Sequence, residues 1–198
     1  PSKAQSKGAL SEGAYIAPMA TYIQADDDFD RLDSGTGARL AVGYRRGQYA
    51  LEIMGFESDI DSDDFPAEPS VVGGSLNGLW FPFESLPNLY GVASLGASSM
   101  DDYPVTFDNN PRGNATTESF SVVQFGLGVG HIFPFSLWDY EFGLRAEGLY
   151  VATRRDEDPR EFGDIDAPRR LDQLVANIGL QLPFGFKPPP PAEPDPEP

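Results

Sequence analysis

The sequence predicts an all-β fold, an eight-stranded antiparallel up-and-down transmembrane β-barrel, and three observations carry the expectation. Apolar and polar residues alternate with a period of two in segments of roughly ten residues. The connections between segments are alternately short and long. One face of the segments is oily, while the other is lined by glycine, small residues and charge. Helix signals are nearly absent, because glycine interrupts almost every segment and none carries a three-four spacing.

The first strand is read over Gly13–Gln24, which contains AYIAPMATYI. The second, Gly37–Arg46, sets Leu40, Val42 and Tyr44 against Arg39, Ala41, Gly43 and Arg45. A tight turn, Arg46–Gln48, leads to the third, Gln48–Glu57, where Tyr49, Leu51 and Ile53 oppose Ala50, Glu52 and Met54. The fourth and fifth, Ser70–Phe81 and Asn88–Met100, alternate poorly, and their register does not follow from the sequence. The sixth, Glu118–Phe133, sets Val123, Phe125, Leu127 and Val129 against Gln124, Gly126, Gly128 and Gly130. The seventh, Tyr140–Thr153, opposes Tyr140, Phe142 and Leu144 to Glu141, Gly143, Arg145 and Glu147. The eighth, Leu171–Pro183, opposes Leu174, Ala176, Ile178, Leu180 and Leu182 to Gln173, Asn177, Gly179 and Gln181.

Charged residues on the small-residue face cannot meet lipid, since a midplane Arg or Lys costs about 2–4 kcal/mol there. They must point inward. An eight-stranded barrel has an interior that side chains just fill, so Arg39, Glu52, Glu141, Arg145 and Glu147 are expected to neutralise one another as a buried ion network. The rival arrangement is a water-soluble, lipocalin-like ligand carrier, which would have to crowd Tyr140, Phe142, Leu127 and Leu180 into a narrow lumen. Trp80, Phe81, Phe83, Phe133, Phe135, Trp138, Tyr140, Phe184 and Phe186 gather at the tight-turn end, as an interfacial aromatic girdle would.

At 198 residues the chain has room for one domain and a tail. Three parts are expected: a polar segment 1–12, the barrel 13–186, and a proline-rich linker 187–198 reading KPPPPAEPDPEP, an extended polyproline spacer. With 31 acidic residues against 14 basic ones, nucleic-acid binding is not expected. No cysteine is present, which removes disulfide scaffolds, thiolate metal sites and cysteine nucleophiles. No apolar run is long enough for a spanning helix. The start of the chain carries no secretory signal pattern, and a signal already removed would leave the same sequence.

The four long connections hold 20 acidic residues against 7 arginines, so the long-loop end is strongly anionic. Asp26, Asp28, Asp30, Asp59, Asp61 and Asp63 alternate oxygen ligands in a manner that would suit Ca²⁺ or Mg²⁺, although no complete EF-hand pattern exists and a solvated anionic loop is the plain reading. A bridging role is the third option, with divalent ions joining these carboxylates to lipopolysaccharide phosphates while Arg154 and Arg155 touch the phosphates directly. No resident cofactor is expected. Nor is an enzyme: the single histidine, His131, sits near the end of the sixth strand, without the serine or G-x-S-x-G pattern that a hydrolase would need.

AYIAPMATYI followed by ADDDFD, ARLAVGY leading through a tight turn to YALEIMGF, the closing NIGLQLPFGF and the proline-rich tail together resemble the N-terminal barrel of OmpA-like outer-membrane proteins. The resemblance covers residues 12 to 198. It implies a structural role in a Gram-negative outer membrane, with insertion by the barrel assembly machinery and acidic loops facing outward. Both termini would then lie in the periplasm, and peptidoglycan would be held by a domain beyond the linker that this chain does not include. The loops would be open to lipopolysaccharide, host surfaces or phage. Pro183 and Lys187 depart from the family's strict aromatic end. The functional alternative to an anchor is a small ion-conducting pore, a porin-like role gated by the interior ion network.

Overall fold

The computed structural model describes residues 10, 12–25, 34–60, 70–105, 116–137, 140–155 and 170–184. Eight strands run through them: β1 Glu12–Ala25, β2 Ser34–Arg46, β3 Tyr49–Ile60, β4 Ser70–Trp80, β5 Leu89–Val105, β6 Thr116–Leu137, β7 Tyr140–Arg155 and β8 Arg170–Phe184. Each pairs antiparallel with its sequence neighbour, and β1 pairs with β8, so the sheet closes into a barrel without an edge. Closure matters in a bilayer, where an unpaired backbone N–H or C=O finds no water. Among the described residues no helix is long and apolar enough to cross a membrane, and the strands do the crossing.

Turn chemistry fixes the register. Gly47, at φ 62°, takes the left-handed conformation that lets β2 return immediately as β3. Arg46 then faces Tyr49 and Gly43 faces Glu52. The longer β4–β5 connection is tied to this turn, since the Phe81 amide donates to the Gln48 carbonyl at 2.8 Å.

Pro18 and Pro134, two of the prolines that fall within strands, sit where the ladder lets them go. Pro134 lies in β6 beyond His131, the last β6 residue before the tight turn that β5 reaches, so its missing donor faces no partner. Pro18 interrupts the β1–β8 ladder, which pairs Ile16 with Leu182 and resumes at Met19 with Gly179. Strand β6 therefore continues to Leu137 rather than ending at Phe133. The hairpin of β5 and β6 also runs past Met100, through an irregularity between Met100 and Tyr103, to Val105 and Thr116.

The faces divide as the alternation requires. Outward side chains include Ile53, Leu127, Val129 and Tyr140, with Ile53 71% and Leu127 69% exposed. Inward ones include Glu52 and Arg145, each 1% exposed. The poorly alternating pair is resolved by its neighbours: β4 turns Val71, Asn77 and Leu79 inward and Val72, Leu76 and Trp80 outward, while β5 turns Tyr90, Val92 and Ser98 inward.

The outward band of β3, for example, begins at Tyr49, runs through Leu51 and Ile53, and ends at Glu57 and Asp59. An exposed apolar band around an interior that buries Arg45, Glu52, Arg145 and Glu147 beside its apolar side chains is the reverse of a soluble barrel, and only a hydrocarbon solvent rewards it. The carrier arrangement, with its bulk packed inward, is not the one adopted.

At the tight-turn end Trp80, Phe83, Phe133, Phe135, Tyr140 and Phe184 are exposed and form the girdle. Phe135 and Tyr140 each pack against Phe142, with ring centres 5.6 and 6.4 Å apart. Phe81 does not join them. It follows the outward Trp80 by one residue, so the period of two turns it inward, where it is 3% exposed and 5.1 Å from the Tyr90 ring. Trp138 and Phe186 lie outside the described residues.

Candidate functional site in the barrel lumen

Strands β3 and β7 stand on opposite sides of an eight-strand ring. Glu52 points inward from one and Arg145 from the other, and their side chains meet at the axis in a two-pronged ion pair. Arg145 Nη1 donates to Glu52 Oε1, and Nη2 donates to Oε2 at 3.0 Å. The same guanidinium binds Glu147, two residues along β7 and hence on the same face, with Nε 2.8 Å from Oε1 and Nη2 also bonded to that oxygen.

Neutral donors occupy the carboxylate lone pairs that remain. Tyr15 Oη donates to Glu52 Oε1 at 2.6 Å, and Tyr90 Oη donates to Glu147 Oε1 at 2.6 Å. Asn177 Nδ2 reaches Glu147 Oε2 at 3.1 Å, while Asn77 Nδ2 stands 3.5 Å from Glu52 Oε2. Thr21 Oγ1 donates to Asn177 Oδ1 at 2.8 Å, and Ser75 Oγ donates to Asn77 Oδ1 at 3.0 Å. These contacts form one network across six strands, with the saturation of donors and acceptors that a buried charge cluster needs.

Glycine makes room for the tyrosines. Tyr15 is paired with Gly43 on β2, and Tyr90 with Gly130 on β6. A Cβ on Gly43 would stand 2.6 Å from Tyr15 Cζ, and one on Gly130 would run into the Tyr90 ring. The hydroxyl end of each ring thus occupies the space over its glycine, from which it reaches its carboxylate.

Of the five residues expected in the interior network, the structure brings together Glu52, Arg145 and Glu147. Arg39 does point inward, but its guanidinium lies 5.3 Å from the centre of the Phe56 ring and it makes no ion pair among the described residues; its Nε has no hydrogen-bond partner. Glu141 is half-buried at the tight-turn rim, paired along the ladder with Ser136 and four residues from Arg145. Of the expected loop ligands, Asp59 is exposed on β3 and Arg154 on β7. The side chain of Arg155, and Asp26, Asp28, Asp30, Asp61 and Asp63, lie outside the described residues. Among the described residues no three metal-ligating side chains converge.

Sequence reasoning missed Tyr15, Tyr90, Asn77 and Thr21 as members of the cluster. All four stand at inward positions of their strands, and the inward glycine opposite each tyrosine is the signal that would have found Tyr15 and Tyr90.

A closed wall, an apolar exterior and an ion-filled axis decide the class. The fold is an eight-stranded transmembrane barrel. No protein-family model and no curated protein matches the chain. Solved structures with a similar fold include Neisserial surface protein A, at 13% identity over 87% of this chain and 97% of that one, TM-score 0.48. They also include the N-terminal β-barrel domain of Pseudomonas aeruginosa OprF, at 10% identity over 85% and 98%, TM-score 0.46. The outer membrane protein AlkL in lipid bilayers matches at 12% identity over 95% and 96%, TM-score 0.45.

Proposed function

We propose that this protein is an outer-membrane structural barrel of the OmpA type, an anchor of the cell envelope whose lumen is sealed rather than conducting. The observation that carries the reading is the cross-axis pair of Glu52 and Arg145, which fills the middle of the lumen with groups whose donors and acceptors are bonded to one another. An open channel would leave such groups to water. The resemblance of the strand segments to the OmpA-like family supports the anchoring role. So does the proline-rich stretch 187–198, which in that family leads to a domain gripping peptidoglycan.

In this reading the acidic loops face outward and meet lipopolysaccharide phosphates through Ca²⁺ or Mg²⁺, with Arg154 and Arg155 as direct phosphate contacts. The reading assigns the chain a structural role and no catalysis. His131, the single histidine, is turned toward the wall exterior and packed 4.4 Å from the Phe133 ring, away from the charged cluster of the lumen.

The test is folding into detergent micelles or lipid vesicles, followed by planar-bilayer recording. Heat-modifiable gel migration together with a nearly silent bilayer is the expected result, and a steady open-channel current from the wild type would refute the sealed lumen. One observation favours a second reading, a gated pore: Arg39 is a buried cation without a carboxylate partner among the described residues, and Glu147 would gain a place to go if it left Arg145.

A further inference from the structure

We infer that the tight-turn mouth of the lumen is closed by a second seal, built separately from the ion cluster, in which Leu10 is the cork and Arg45 the residue that holds it. The inference rests on the sealed-lumen reading and deepens it.

Leu10 precedes β1 and is nevertheless only 4% exposed. Its carbonyl accepts a hydrogen bond from Arg45 Nη1 of β2 at 3.1 Å. Its side chain reaches the far wall, where a Cβ on the inward-facing Gly143 of β7 would stand 3.4 Å from Leu10 Cδ1. Strands β2 and β7 are separated in the ring by β1 and β8. Leu10 and the Arg45 side chain that reaches it therefore bridge the mouth together.

Arg45 ties this cork to the turns around it. Its Nε donates to the Gly47 carbonyl at 3.2 Å and its Nη2 to the Pro87 carbonyl at 2.8 Å. The guanidinium carbon stands 3.4 Å from the centre of the Phe81 ring. The three nitrogens thus fasten Leu10, the β2–β3 turn and the β4–β5 connection in three directions, a task suited to a planar fork of donors and not to a lysine point charge. Ile132, 0% exposed, and Phe81 fill the remaining width, and the Ile132 amide is itself bonded to the Asn88 carbonyl at 3.0 Å.

All the acceptors for Arg45 are backbone carbonyls and an aromatic face. The seal therefore draws nothing from Glu52 or Glu147, and the lumen carries two closures in series. Ions cross only where both have opened, so loss of either one leaves the other resisting flow.

Planar-bilayer conductance of the full chain separates these possibilities, using wild type, Leu10→Ser, Glu52→Gln and the double variant, with folding verified by heat-modifiable migration. Two closures in series predict that the rise in the double variant exceeds the product of the single rises, because in either single variant the remaining closure still limits the current. A double variant that merely multiplies the two effects, or that conducts no more than Glu52→Gln alone, overturns the second seal. A wild type that already conducts as an open channel sinks the sealed-lumen reading instead. Arg45→Ala in the Glu52→Gln background should reproduce the gain seen with Leu10→Ser. If that variant folds and stays closed, Arg45 does not hold the cork.

Discussion

Arg145 and Glu52 meet on the barrel axis from strands on opposite sides of the ring, joined by two parallel N–H to oxygen bonds and each 1% exposed. A cross-axis pair ties together walls that the hydrogen-bond ladder joins only through three intervening strands on either side. Removing one partner leaves the other charge buried and unmatched, which costs about 3–5 kcal/mol, whereas removing both is far milder. Arg145→Met should therefore lower the unfolding free energy in lipid vesicles by that amount, and Glu52→Leu combined with Arg145→Met should recover part of the loss. A double variant as damaged as the sum of the singles would show that the two groups do not act on each other.

The tyrosine hydroxyls supply a smaller and separable share. Tyr15 and Tyr90 each donate to one carboxylate at 2.6 Å, and a hydrogen bond to a charged group contributes about 1.5–3 kcal/mol. Tyr15→Phe and Tyr90→Phe keep the rings over Gly43 and Gly130, so the barrel shape should persist with unchanged heat-modifiable migration. Urea unfolding should show losses in that range. A loss near zero in both would mean that the donors are replaced by water.

The wall was far more legible in the sequence than the lumen. A period of two sorts most strands into faces, and Leu127 against Gly126 and Gly128 decides which face is oily. That logic failed for β4 and β5, where glycine, serine and alanine stand at both inward and outward positions, as Gly73 and Gly74 do, and contrast disappears. Their register came from pairing with β3 and β6 instead. Inside the barrel, parity identifies inward charges but not their partners: Arg39, Glu52 and Arg145 look alike in the sequence. Ladder register decides which of them meet, and Arg39 lies opposite Phe56 rather than opposite an acid. Leu10 was illegible for another reason, since a single apolar residue in a polar segment carries no period.

Arg39 offers a contrast within one lumen. It is 9% exposed and bonded to no carboxylate among the described residues, so the desolvation of its charge is only partly offset by the Phe56 face. Replacing such a cation by a flexible apolar side chain of similar reach removes a penalty and keeps the packing. Arg39→Met is thus expected to leave the unfolding midpoint unchanged or to raise it. A loss as large as that of Arg145→Met would mean that Arg39 has a strong partner under folding conditions.

The exterior makes the sharpest depth-dependent claim. Leu127 lies midway along the outward row of β6 that runs from Val123 to Phe133, while Tyr49 lies at the tight-turn rim of β3. Arginine at the hydrocarbon midplane costs about 2–4 kcal/mol and near the interface about 0–1 kcal/mol, because only there can the side chain reach water. Leu127→Arg should accordingly destabilise the barrel in vesicles by several times as much as Tyr49→Arg, with the same ranking in short-chain and long-chain lipids and a smaller gap in the thinner bilayer. In a soluble barrel both substitutions would sit in water and differ little, so equal effects at the two positions would undo the membrane assignment itself.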